Sequence, residues 1–282
     1  MLPLSVIVPV RNAEEMIDDC LLSIARSQPE EIILVDGLST DRTLEIARRY
    51  PVRIISDGGK GVAAARMLGV ENATSPSVAL IDVDIVLGVG ALENLYHEFV
   101  EGQYAGLQAG LVSVSSGPGY WGRALASHHN HGLSRRWPGV MATLFQRSVL
   151  LRYRLDERFV SGEDIELRWR LRKAGLKLGV SSRTLVTHRF GDTYDFARDQ
   201  WMADGRGLGR MVSRYGWRAA PLLAIPAAGG IRGVLLSLVH RQPGLIPYYA
   251  AYVVHNYLAM VGGLKEPLRS DGNVAGRILT EP

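Results

Sequence analysis

The sequence predicts an α/β protein with a doubly wound, mostly parallel sheet that resembles a Rossmann fold in its winding. Four short apolar runs alternate with segments of helical periodicity before residue 85, and short connections join them. This alternation is typical of parallel strands with helices on both faces. The chain has 282 residues, 47% hydrophobic and 21% charged, which is enough for a complete core.

The first strand is the apolar run 4–10, which contains Pro9 and Val10 near its end. Asn12 follows as a helix N-cap, with Glu14 in the first turn of a helix whose apolar residues recur at helical spacing. The second strand, 31–36, ends on Asp36, and a turn leads to a helix over 43–50. Polar side chains therefore stand at the carboxyl ends of two strands, where open α/β sheets bind ligands.

The third strand is 52–55, and the glycine-rich segment 57–61 after it is interpreted as a plain turn before the helix 62–72. The fourth strand, which begins near Val78, runs into Asp82 and Asp84. A period of two places both carboxylates on one face if the strand continues that far. Two carboxylates so close suit a shared divalent cation, and a capped strand end is the alternative interpretation.

Four blocks of sequence resemble family 2 glycosyltransferases, which are inverting enzymes of the GT-A fold. The blocks are SVIVPVRN, ILVDGLSTDRT, GVAAARMLG and IDVD, in that order, within a resemblance that covers roughly residues 4–190. The resemblance implies that Arg66 contacts a nucleotide, and that Asp82 and Asp84 bind its diphosphate through Mg²⁺ or Mn²⁺. It also implies a nucleotide site formed by Pro9, Val10, Asn12, Glu14 and Asp36. Gly37 and Met67 depart from the family pattern on the nucleotide side.

The middle of the chain predicts a helix over 90–101 and strands over 108–114 and 140–145, with a short helix over 147–152. The glycine-rich segment 117–122 and the three histidines at 128, 129 and 131 are interpreted as loops. Glu163 and Asp164 then open a helix, where the helix dipole favours acidic residues. By the resemblance, Asp164 is the catalytic base and Glu163 supports it or contacts the acceptor. Two short strands follow, and His188 at the end of the second completes the metal site by the same resemblance.

Residues 1–196 are predicted to form the catalytic domain, and residues 197–282 a C-terminal unit of amphipathic and apolar helices. Most of the excess positive charge lies after residue 197, and arginines recur every fourth residue from Arg206 to Arg218. The segments 219–239 and 245–264 are apolar, but prolines and Arg232 interrupt the first. We therefore expect interfacial helices rather than two clean spans. Since the first residues do not resemble a signal peptide, we expect a peripheral or monotopic protein on the cytoplasmic face of the membrane.

The sequence as a whole predicts a metal-dependent inverting glycosyltransferase that uses a nucleotide-sugar, with a UDP-sugar favoured. The membrane-like helices suggest a lipid-linked or envelope polysaccharide acceptor. A sugar-phosphate nucleotidyltransferase and a non-catalytic membrane-associated scaffold of the same fold remain as alternatives. Nucleic acid is not an expected partner, because the basic C-terminal region carries no binding motif. The single cysteine, Cys20, excludes an intrachain disulfide.

Overall fold

The first strand, β1 (Leu2–Val10), is buried on both faces. Its side chains alternate between two cores, with Val6 and Val8 in one and Ile7 in the other. A computed structural model, which describes residues 1–265 apart from the side chains of residues 133 and 134, builds an eight-stranded sheet around this strand. The continuous apolar run thus forms the doubly covered strand that its composition predicts.

The sheet is mixed, with the strand order β3-β2-β1-β4-β7-β6-β8-β5. Parallel pairing joins β1 to β2 and β4, β2 to β3, and β6 to β8, whereas the other three pairs are antiparallel. The strands after β1 are β2 (Pro29–Asp36), β3 (Arg53–Ser56), β4 (Ser77–Leu80), β5 (Ile85–Val86), β6 (Gly106–Ser115), β7 (Thr143–Gln146) and β8 (Leu178–Phe190). The predicted fold class is confirmed.

Helices cover both faces of this sheet. One face carries α1 (Ile17–Ala25), α2 (Thr43–Ala47) and α4 (Ala91–Glu101). The other carries α3 (Val62–Asn72), α6 (Arg147–Tyr153) and α7 (Glu163–Lys173). An aromatic core joins α5 (Tyr120–His131), α8 (Tyr194–Tyr215) and α10 (Ile246–Lys265), and α9 (Ile225–Val239) packs on α10. Short 3-10 helices span Leu133–Arg136, Gly216–Ala224 and Pro243–Leu245.

Three predicted elements differ from the structure. Residues 120–131 form α5 rather than a loop, because Trp121 and Leu125 bury their side chains against α8 and α10. The two short strands predicted after residue 175 belong to one strand, β8, which pairs with β6 on both sides of a register shift between Gln108 and Gly110. The fourth strand ends at Leu80, so Asp82 and Asp84 lie in a turn beyond it rather than on one strand face.

The helix α8 docks on the rest of the protein instead of lying apart from it. Glycines at 205 and 209 bring its backbone against Asn256 and Met260 of α10, where a β-carbon would clash. Arg210 is buried and donates to the Ser161 hydroxyl, and Arg214 lies 3.5 Å from the Asp156 carboxylate. These two members of the predicted basic stripe therefore contact the segment that precedes and opens α7.

Within residues 1–265, one helical segment, Tyr194–Val239, contains a stretch long and apolar enough to cross a membrane, by length and composition only. Only 22% of that stretch is buried in the protein. The proposed division at residue 196 stays a prediction, and the end of the predicted C-terminal unit, residues 266–282, lies outside the described residues.

Candidate active site

Two aspartates stand in the turn that joins β4 to β5. The turn is closed by a hydrogen bond from the Ile85 backbone N–H to the Asp82 carbonyl. The Arg189 N–H donates to the Asp84 carbonyl, which fixes the turn to strand β8. The two carboxylates diverge from here, because Asp82 contacts α3 and Asp84 contacts β8.

The side chain of Arg66 connects this turn to the start of α7. It is buried within α3, and one of its terminal nitrogens lies 2.7 and 2.8 Å from the two carboxylate oxygens of Asp82. The other donates to Glu163 over 2.8 Å, a partner 97 residues away in the sequence. Its expected contact with a nucleotide stays a prediction, since both terminal nitrogens already hold carboxylates.

Burial and neighbouring charges have opposite effects on the pKa values of Arg66 and Glu163. Burial alone would lower the pKa of Arg66, but Asp82 and Glu163 raise it above its ordinary value. Burial raises the pKa of Glu163, even though Arg66 opposes that change. Arg66 thus compensates two carboxylates that would otherwise repel each other in a poorly solvated position.

Asp84 faces the imidazole of His188 on β8. The Asp84 Oδ2 atom lies 3.4 Å from His188 Nε2, and the imidazole is buried. The second carboxylate oxygen, Oδ1, is also buried, and the described residues offer it no hydrogen-bond partner. An orphaned carboxylate oxygen beside an imidazole nitrogen is a donor set that fits Mn²⁺ and, less naturally, Mg²⁺. Among residues 1–265 there is no cluster of three such protein ligands, so other ligands would have to complete a coordination shell here.

The predicted base, Asp164, lies in the first turn of α7. The helix begins after Gly162, whose φ of 80° is a left-handed conformation that glycine adopts without strain. The backbone of α8 crosses here, since a β-carbon on Gly207 would stand 2.9 Å from the Gly162 Cα atom. A β-carbon on Gly139 would stand 3.2 Å from Asp164 Oδ2, so the loop before β7 approaches the same carboxylate.

A second carboxylate, Asp204 on α8, interacts electrostatically with the base. Its side chain is exposed to solvent, yet the surrounding protein and the charge of Asp164 raise its pKa to about 7. The solvent contact moderates the desolvation behind that shift. Sequence reasoning missed Asp204, because it stands 40 residues after Asp164 and only the docking of α8 brings them together.

A cavity of about 350 Å³ opens at the carboxyl ends of β1, β2 and β3. It is lined by Pro9, Val10, Arg11, Gly37, Asp57, Gly59, Gly61, Val62 and Ala65. Pro9 and Val10, which were expected in a nucleotide site, line this cavity, and their contact with a nucleotide stays a prediction.

The other predicted nucleotide residues have structural partners. Asn12 accepts a hydrogen bond from the Thr40 N–H over 2.8 Å, and Glu14 accepts one from the Arg42 N–H over 3.0 Å. These bonds join the loop after β1 to the loop after β2. Asp36 is buried at the end of β2 and accepts from the backbone N–H three residues later. Their direct contacts with a nucleotide stay predictions.

The cavity also contains residues that the sequence interpretation passed over. Asp57 accepts hydrogen bonds from the N–H groups of Gly59 and Gly61, so the supposed plain turn is a loop organised around a buried carboxylate. The available signal was the position of Asp57 directly after the third strand. Arg11, whose side chain passes over Gly37, carried no comparable signal.

Comparison with known proteins gives three findings. Residues 5–159, just over half of the chain, match the family model of glycosyl transferase family 2. The pre-mycofactocin glycosyltransferase of Mycobacterium tuberculosis (strain CDC 1551 / Oshkosh) is 33% identical over 175 residues, which cover 58% of this chain and 35% of that protein. The 4,4'-diaponeurosporenoate glycosyltransferase of Staphylococcus aureus (strain USA300) is 34% identical over 119 residues, covering 39% of this chain and 31% of that protein. The chain thus spans about a third of the length of the curated relatives that it matches.

A solved structure shares the architecture more completely. The crystal structure of S. aureus TarS 1-349 in complex with UDP superposes with a TM-score of 0.54 and covers 91% of this chain and 89% of its own. The two sequences are 19% identical, so this likeness concerns the fold.

Proposed function

The chain belongs to glycosyl transferase family 2, and we propose that it transfers a sugar, with inversion, from a nucleotide-sugar to an acceptor hydroxyl. One observation carries the proposal: the buried Arg66 ties the Asp82–Asp84 turn to the helix that presents Asp164. In the proposal, this turn binds the diphosphate and Asp164 acts as the base, and Arg66 keeps the two near each other. Sugar transfer needs the donor diphosphate and the base that deprotonates the acceptor to lie close to each other.

The donor side consists of the 350 Å³ cavity and the Asp84–His188 pair. In the proposal the nucleotide occupies the cavity, and its diphosphate extends toward the turn. Asp84 and His188 would hold Mg²⁺ or Mn²⁺ together with diphosphate oxygens. A divalent cation there neutralises the negative charge that develops on the departing diphosphate. Asp82, which Arg66 holds, then acts as a neighbour of the ion or of the ribose rather than as its main ligand.

The acceptor side is the space in front of Asp164. Its carboxylate takes the proton from the acceptor hydroxyl as that oxygen bonds to the anomeric carbon. The bond from the anomeric carbon to the diphosphate oxygen breaks on the opposite face, and a nucleoside diphosphate leaves. Attack from the face opposite the leaving group inverts the configuration. Glu163 stays paired with Arg66 and keeps Asp164 in place.

A UDP-sugar is the donor that we favour. The support is the shared fold with TarS, whose structure contains UDP. Gly37 and Met67 depart from the family pattern on the nucleotide side, so sugars carried by other nucleotides belong in the test.

The acceptor in this proposal is a lipid-linked or envelope polysaccharide at the cytoplasmic face of a membrane. The support is an apolar surface on α9 and α10 that is exposed, whereas a helix that only docks within a soluble protein buries its apolar side. Its members are Ile231, Leu235, Leu238, Val239, Val254, Leu258 and Val261. Flotation with anionic lipid vesicles tests this part, and Leu235→Glu with Leu258→Glu should abolish co-flotation without changing the melting temperature. Equal flotation of this variant and the wild type would refute a membrane role for the surface.

The catalytic proposal is tested by nucleoside diphosphate release from UDP-, GDP- and dTDP-sugars with Mn²⁺, alongside calorimetry of UDP binding. Asp84→Asn should lose Mn²⁺-dependent UDP binding. Asp164→Asn should keep that binding and lose transfer by about 10²-fold or more. Asp199→Asn, an exposed carboxylate on α8, is the matched control and should behave as wild type.

The rival functions give different results in the same experiments. A scaffold would bind neither UDP nor Mn²⁺. A nucleotidyltransferase would consume a nucleoside triphosphate and a sugar phosphate and release pyrophosphate. Full transfer by Asp164→Asn would overturn the assignment of the base.

A further inference from the structure

A buried serine and histidine stand behind His188, outside every role assigned so far. Strands β6 and β8 are parallel neighbours, and Ser113 is in register with His188. The Ser113 hydroxyl lies 3.2 Å from His188 Nδ1. On its other side, His188 turns Nε2 toward Asp84, 3.4 Å away. The imidazole is therefore held through both of its nitrogens.

The helix α5 fixes the position of this serine. The Asn130 side chain accepts from the Ser113 N–H and donates to its carbonyl, both over 2.9 Å. His129 Nδ1 lies 3.3 Å from the same hydroxyl. The rings of His129 and His188 stack with centroids 5.8 Å apart and planes 20° apart. Two successive residues of α5 thus contact the serine, and one of them also contacts the imidazole.

The number of available protons decides which group donates in each hydrogen bond of this cluster. A serine hydroxyl has one proton to donate and can also accept. It lies between two Nδ1 atoms, so it donates to one and accepts from the other. If His188 Nε2 is to offer its lone pair to a cation beside Asp84, its proton must be on Nδ1, and Ser113 must accept a hydrogen bond from it. The serine proton then goes to His129 Nδ1.

We propose that Ser113, supported by His129, is a positioning residue that holds His188 in the Nδ1-protonated tautomer, with the Nε2 lone pair directed at the divalent cation beside Asp84. The inference rests on the proposed function, since it requires a metal ion at Asp84 and His188. Partners of this kind orient a ligating imidazole, and their loss typically costs 10- to 100-fold in metal affinity. The three histidines of the segment 128–131 were predicted to lie in a loop, and here one of them acts through a serine rather than as a ligand.

Two variants of nearly identical shape test the hydroxyl alone. Ser113→Thr keeps it, Ser113→Val replaces it with a methyl group, and both side chains suit a strand. The affinity for Mn²⁺ is measured in the whole chain with UDP by titration, with electron paramagnetic resonance reporting free Mn²⁺. Ser113→Thr should bind Mn²⁺ with an affinity close to that of wild type. Ser113→Val should bind Mn²⁺ about 10- to 100-fold more weakly. Ser115→Ala, on the same strand but away from His188, should have no effect on the affinity. Equal affinities for the Thr and Val variants would overturn the inference.

A second measurement uses diamagnetic Mg²⁺ in place of Mn²⁺. Nitrogen-15 chemical shifts of the histidine rings in the wild-type protein with UDP and Mg²⁺ should show His188 protonated on Nδ1 and His129 on Nε2. The opposite tautomer at His188 would overturn the inference even if both serine variants failed to fold. If wild-type protein with UDP retained no Mn²⁺ while His188 showed the expected tautomer, the metal site of the proposed function would fail and the metal-directed role would fail with it. Mn²⁺ binding by wild type with no loss in Ser113→Val would leave the proposed function standing and remove only the inference.

Discussion

Replacing Arg66 by methionine tests the link between the two halves of the site. The substitution keeps a long, flexible side chain of helix-forming type and removes the charge and three hydrogen bonds of 2.7–2.8 Å. Two carboxylates then remain beside each other without their shared partner. The expected result is a less stable protein that has also lost the alignment of Asp82 with Glu163.

The size of the loss follows from burial. Removing one partner of a buried ion pair costs about 3–5 kcal/mol, because the remaining charge is left unpaired. Asp82 is 19% and Glu163 10% exposed, so water reaches both and favours the lower end. We expect Arg66→Met to lower the free energy of unfolding by about 3 kcal/mol at pH 7.

The pH dependence has a definite sign. Burial raises the pKa of Glu163 even with Arg66 present, and removing the guanidinium raises it further. A carboxyl whose pKa is raised in the folded state does not destabilise the protein at low pH, where it is protonated in both states. The protein loses stability as the pH rises from the unfolded-state pKa to the folded-state pKa of that carboxyl. The deficit of Arg66→Met should therefore be smaller at pH 5 than at pH 8.

Urea denaturation followed by circular dichroism measures these differences. Glu163→Gln combined with Arg66→Met should cost less than the sum of the single variants, by about 1–2 kcal/mol. Arg26→Met, on the exposed end of α1, is the control and should change stability by less than about 0.5 kcal/mol. A loss below about 1 kcal/mol for Arg66→Met, or strict additivity with Glu163→Gln, would refute the reasoning.

Three further predictions concern packing and titration. Gly207→Ala places a methyl group against Gly162 and should cost about 1–3 kcal/mol in urea denaturation, whereas Gly244→Ala, with open space around it, should not; equal losses would contradict the close approach. Burial lowers the pKa of His128 to about 4, so the folded state resists protonation and loses stability as pH falls from about 6.5 to 4, by at most roughly 3 kcal/mol. His128→Phe should flatten that acid limb, and an unchanged slope would refute the assignment. Because the pKa of Asp204 is raised to about 7, the fold loses stability as pH rises from about 4 to about 7. Asp204→Asn should therefore make the melting temperature less dependent on pH between 5 and 7; a slope equal to that of wild type would show that the carboxyl does not titrate there.

Local patterns predicted the strands and helices of the first half well. The run 4–10 is apolar throughout because β1 is covered on both faces, and that composition is visible in the sequence. Asp36, Asp82 and Asp84 were singled out because they follow such runs directly. The order of these motifs also led to the family that the comparisons confirm.

The remaining features depend on contacts between distant segments. The partnership of Arg66 with Glu163 spans 97 residues, and no single-sequence pattern indicates it. The helix α5 has glycine and histidine in place of strong helix formers, and burial of its aromatic side chains outweighs that composition. Asp204 and Ser113 acquire their neighbours only when α8 and α5 dock, so neither was a candidate beforehand.

The glycine contacts of α8 have a mechanical consequence. Within one short stretch of α8, Gly207 brings the backbone against Gly162, and Gly205 and Gly209 bring it against the backbone of α10. Contacts of backbone with backbone leave no flexible side chain between them to absorb a shift. A tilt of α10, whose outer face is apolar, would therefore push on the backbone of α8 and, through Gly207, on the start of α7. The outer face of α10 and the position of the Asp164 carboxylate are in this way coupled through backbone contacts.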